Sequence, residues 1–94
     1  MAANQQLDVH FEAVLGKVRP TDTWTCVQLP ESATVLGTRA RVKVAGPIDG
    51  HAFQGLFMPL GDGTHKLPVK KDIRQAIGKN DGDSVTIHLT ERLA

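Results

Sequence analysis

Between Arg39 and Lys70 the chain carries two hairpin signals, Asp49-Gly50 and Gly61-Asp62-Gly63, set among residues of alternating character. Asp-Gly is favoured in a two-residue type I′ turn because both central residues need positive φ. Gly-Asp-Gly offers glycine for the left-handed position of a three-residue loop. Each turn dictates which residues face one another. Ile48 opposite His51 puts Val44 across from Gly55, Val42 from Phe57 and Ala40 from Pro59, and the second turn pairs Phe57 with Leu67 and Pro59 with His65. Val42, Phe57 and Leu67 then share one row, and all three are apolar.

The flanking sequence supplies further short strands. Leu7, Val9, Phe11, Ala13 and Leu15 alternate with Asp8, His10 and Glu12, which is strand periodicity with one wet face. Gly16 to Thr23 reads as a loop, Trp24 to Leu29 as a second strand ended by Pro30, and the segment from Glu31 to Thr38 has room for one helical turn. Strands are expected from Arg39, over His51–Leu60 and over Thr64–Lys70. Ile73, Ala76 and Ile77 form the apolar stripe of a short helix, with Asp72 in its first turn and Gly78 at its end. A closing strand follows Asn80 to Asp83, with Val85, Ile87 and Leu89 inward. Six short strands and one short helix before the last of them predict a mainly β fold, an antiparallel-rich six-stranded barrel.

Composition narrows the function classes. With 94 residues, 40% of them hydrophobic and 22% charged, the chain is expected to form a single domain over residues 1–94, with 1–6 flexible. A formal net charge of +1 gives no long-range field to gather nucleic acid or anionic lipid. A lone cysteine, Cys26, forms no internal disulfide, and no apolar run is long enough to span a bilayer, so a cytoplasmic protein is expected. Four histidines, His10, His51, His65 and His88, show no metal-ligand spacing, so neither metal nor cofactor is expected. Gly61 to Lys66 lacks the phosphate-loop spacing, no GxSxG elbow is present, and nothing local activates Cys26. Asp81 and Asp83 flank a glycine and are explained by turn chemistry.

The hairpin register also defines an outward face. It carries Arg41, Met58 and Lys66 in one row and Lys43, Leu56 and Pro68 in the next, with Arg39 and Lys70 near the ends and Trp24 at the rim. Cations flanking Leu56, Met58 and Leu60 suit an anionic partner with an apolar body. The competing expectation is that Ile73 and Ile77 cover the apolar strip while the cations are simply solvated.

The ordered string of Trp24 to Pro30, Arg41-Val-Lys-Val, Ile48-Asp49-Gly50, Phe53, Gly55, Pro59, Gly61-Asp-Gly, His65-Lys-Leu-Pro-Val-Lys70, Ile73-Arg74 and Gly82-Asp83 before Val85 resembles the small bacterial and archaeal domain of unknown function 1905. The resemblance covers about Val9 to Glu91. It implies a helix-capped six-stranded barrel, and it carries over no activity and no catalytic residue. In some members such a domain precedes one linked by name to bacteriocin protection. The tail from Ile73 to Leu89 is also similar to the barrel half of transition-state regulator DNA-binding proteins.

The functional expectation is a non-enzymatic binding or interaction module using Arg39, Arg41, Lys43, Lys66, Lys70 and Trp24, for an anionic small molecule or a protein. One alternative is a nucleic-acid-binding barrel, disfavoured by the near-zero charge. Another is a small enzyme drawing on His65, Lys66 or Cys26 at the barrel mouth.

Overall fold

The computed structural model describes residues 5–17, 23–29 and 31–93. Its elements are β1 (Gln5–Val14), β2 (Cys26–Leu29), α1 (Ser32–Leu36), β3 (Val42–Ile48), β4 (His51–Pro59), β5 (His65–Pro68), α2 (Lys71–Ile77) and β6 (Ser84–Arg92). The strands form one sheet in the order β1-β6-β3-β4-β5-β2, and every pairing is antiparallel. The sheet curls into a half-barrel, and among the described residues one isolated bridge, between Gly16 just beyond β1 and Cys26 of β2, links its two edges. Among the described residues no helix is long and apolar enough to cross a membrane.

Both turns set the register expected of them. Asp49 and Gly50 have φ of 47° and 80°, and β3 and β4 pair as Ile48 with His51, Val44 with Gly55 and Val42 with Phe57. Asp49 is tied to β6 as well: its N–H donates to the Thr86 carbonyl and its Oδ1 accepts from the Thr86 N–H, each at 2.8 Å. In the second hairpin Met58 pairs with Lys66 and Pro59 with His65. The same register places Phe57 opposite Leu67, which pairs with Val27 on the far side. Val42, Phe57, Leu67 and Val27 are all buried, and complete burial of such a side chain contributes about 1.5–3 kcal/mol. The inward faces of β1 and β6 complete this core.

The edges of the elements differ from expectation in ways that have local causes. β3 begins at Val42 rather than Arg39, so the Ala40–Pro59 pair does not form; the Ala40 carbonyl accepts instead from His65 Nε2 at 2.8 Å. The helical turn between Glu31 and Thr38 forms as α1, which buries Ser32 and Leu36. In α2 the Gly78 and Lys79 N–H groups close the C-terminus on Gln75 and Arg74 carbonyls, and Ile73 and Ile77 pack on the core, whereas Ala76 is exposed. Gln5 and Gln6, expected to be flexible, pair with Arg92 and Glu91. Residues 1–4, residues 18–22 of the expected loop, and Pro30 lie outside the described residues.

Two close approaches hold the architecture. At Gly46 the β3–β6 ladder shifts register, and a β-carbon there would lie 1.9 Å from the His88 carbonyl oxygen. No side-chain rotation relieves a clash with backbone. The second approach is polar: His65 is wholly buried, its Nδ1 2.7 Å from Ser32 Oγ. A carbonyl can only accept, so the ring donates its Nε2–H to Ala40, and Nδ1 is hydrogen-bonded to the Ser32 hydroxyl. The ring thereby links β5, α1 and the approach to β3.

Gly46→Ala is expected to cost about 3 kcal/mol or more in urea unfolding, because β3 and β6 must separate. Gly16→Ala, where nothing lies within 4 Å of the added carbon, is the control and should stay within about 0.5 kcal/mol of the parent. Ser32→Ala leaves a buried imidazole nitrogen without its hydrogen-bond partner and should cost about 1–3 kcal/mol in the same measurement; an unchanged midpoint would contradict the assigned role.

Candidate functional site

Strand alternation that sends Phe57 and Leu67 inward sends Leu56, Met58, Lys66 and Pro68 outward. Lys43 pairs with Leu56 across β3 and β4, and α2 packs beside β4 with Ile73 turned toward it. The helix covers one flank of the apolar strip and leaves the other open. Leu56 remains 36% exposed and Trp24 55% exposed, high for side chains of their size.

Two adjoining depressions result. One, of about 470 Å³, has Leu56, Met58, Phe53 and Ile73 among its walls together with Lys43. The other, of about 360 Å³, runs between Thr23, Thr25 and the start of α2, where Lys71 and Arg74 line it. Trp24, Pro68 and Lys70 belong to both and form the ridge where they meet. The Arg74 Nε donates to the Val69 carbonyl at 3.2 Å, which fixes the base of that guanidinium. Among the described residues no carboxylate lines either depression, so a chain of nearly balanced total charge presents here four cations around an apolar floor.

The residues singled out from the sequence divide between this groove and the surface beyond it. Trp24, Lys43 and Lys70 line the groove. Lys66 lies on the same outward face, one row away, between Met58 and Gln28. Arg41 is exposed just before β3. Arg39 reaches over the β4–β5 turn, its Nη2 3.7 Å from where a β-carbon on Gly63 would stand. Lys71 and Arg74 were missed, because only the docking of α2 beside β4 brings them to the groove. The other candidates for chemistry lie inside the wall: Cys26 and His65 are buried, the latter in its hydrogen bonds to Ser32 and Ala40, while Lys66 points to the opposite face from His65.

A second cluster lies on the outer wall of the β1–β6 pair. His10 and His88 are cross-strand partners with rings stacked at 3.7 Å, and Asp8 Oδ1 accepts from His10 Nε2 at 3.1 Å and from His88 Nε2 at 2.9 Å. The Asp8 carboxyl is held below its ordinary pKa, first by the hydrogen bond from His88 and next by the proximity of His10.

A search of the curated proteins finds no match for the chain. The profile described as "Domain of unknown function (DUF1905)" matches residues 11–89, which takes in all six strands and both helices in whole or in part. By that match, the chain belongs to the DUF1905 family.

Proposed function

We propose that the protein is a non-enzymatic binding module whose ligand is a small anionic molecule with an apolar body. The observation that carries this reading is the segregation of charge in the groove: Lys43, Lys70, Lys71 and Arg74 surround an apolar floor with no carboxylate among the described lining residues. A ligand seats its apolar part on Trp24, Leu56 and Met58 and its anionic end among the ammonium and guanidinium groups. The volumes of the two depressions fall in the range of small-molecule sites, roughly 300–1,000 Å³. Aromatic and aliphatic surface supplies non-directional affinity, and the cations supply orientation. Arg39, Arg41 and Lys66 extend the positive surface around the rim and steer an approaching anion more than they hold it.

Trp24 is the only tryptophan and the chain has no tyrosine, so intrinsic fluorescence reports directly from the groove. Titration with octanoate and octyl phosphate is expected to change that emission saturably, while octanol and acetate, each lacking one half of the ligand's chemistry, bind more weakly by roughly tenfold or more. The K43A/K70A double variant should lose about tenfold in octanoate affinity by calorimetry, with an unchanged unfolding midpoint. Equal binding of octanol and octanoate would remove the role given to the cations. Saturable binding of a single-stranded oligonucleotide with steep salt dependence, in the absence of any octanoate response, would instead support a nucleic-acid surface.

A further inference from the structure

We propose that Asp8, His10 and His88 form a binding site for one late first-row divalent metal ion of the Zn²⁺ class, on the outer wall of the β1–β6 pair. Three donor atoms of types suited to such an ion converge there: two imidazole nitrogens and one carboxylate oxygen, all within 4.8 Å of one another. In tetrahedral zinc sites, bonds of about 2.0–2.2 Å put ligand atoms roughly 3.3 Å apart. The two Asp8–histidine separations, 2.9 and 3.1 Å, are already close to that value.

Two features of the backbone pre-organise the cluster. His10 and His88 are held opposite each other by the antiparallel ladder, so both Nε2 atoms are delivered to one point without any loop having to fold. Between Gln6 and Val9 the β1–β6 register shifts, which sets Leu7 and Asp8 together against Thr90 and re-aims the Asp8 carboxylate over the histidine pair. Side-chain exposures of 82% for Asp8 and 63% for His10 leave the cluster open to an ion from solvent.

Binding needs only local rearrangement. The ion takes the place near which Asp8 Oδ1 now accepts both hydrogen bonds, and the carboxylate moves aside to become the third ligand. Ligation uses the Nε2 lone pair of each imidazole, so in the bound form the ring proton sits on Nδ1. Water fills the remaining coordination position, as expected of a site with three protein ligands. Hard cations such as Mg²⁺, which prefer oxygen donors, are not accommodated by two imidazoles. The site is independent of the groove, so loss of either leaves the other in place.

The test uses protein without a polyhistidine tag, stripped with chelator and titrated with ZnCl₂, NiCl₂ and MgCl₂ by calorimetry and by NMR of the histidine rings. One equivalent of Zn²⁺ or Ni²⁺ is expected to bind and to move the His10 and His88 ring signals, leaving those of His51 and His65 in place, while Mg²⁺ moves none. The H10Q/H88Q double variant should weaken Zn²⁺ binding by roughly a hundredfold or more, and the single Asp8→Asn change by roughly tenfold. The proposal is overturned by absence of Zn²⁺ binding, by ring shifts at His51 or His65 in place of His10 and His88, or by parental affinity in the double variant. Should the double variant fail to fold, parental Zn²⁺ affinity in D8N overturns the three-ligand site by itself.

Discussion

The structure depends on the row of Val42, Phe57, Leu67 and Val27, four buried side chains from four consecutive strands of the sheet. Side chains alternate across a sheet with a period of two, so a slip of one residue in any of the three pairings would send an entire strand's apolar set to water. The positive φ values at Asp49 and Gly50 and the glycine-bounded loop at 61–63 prevent that slip locally in two of the three pairings, β3–β4 and β4–β5. Burial and turn geometry thus select the same register for independent reasons. Everything on the outer surface, including which cations share a face with Leu56 and Met58, follows from it.

What could be read from the residues was what local chemistry decides. The two hairpins, the inward set of β1 and β6, and the termination of α2 at Gly78 are each specified within a few residues. The place of β6 between β1 and β3 is not, since it is a pairing of distant segments that no turn announces. Nor does Gly46-Pro47 read as the interior of a central strand, where proline removes a ladder donor. It is accommodated because the β3–β6 register shifts there.

The same division applies to the sites. Lys43 and Lys70 could be placed on one face from hairpin register, whereas Trp24, outside both hairpins, could be set no closer than its rim. Arg39 and Arg41 fell outside the groove because β3 starts later than the alternation suggested, Ala40 having turned its carbonyl to a buried histidine. Lys71 and Arg74 required the packing of α2, and the Asp8–His10–His88 cluster joins residues as much as 80 positions apart. Spacing within a linear motif is silent about side chains brought together by the first and last strands of the chain, which are neighbours in the sheet.

Among the described residues one isolated bridge, Gly16–Cys26, links the two edges of the sheet and gives the wall a seam. β1 is held along its length by β6, whereas β2 is a four-residue strand paired with β5, so opening at the seam is expected to start from β2, with the central β3–β4 pair exchanging its amide hydrogens late. Cys26, buried at that seam, would meet solvent when the wall parts, so the rate at which a thiol reagent labels it is a clock for the opening.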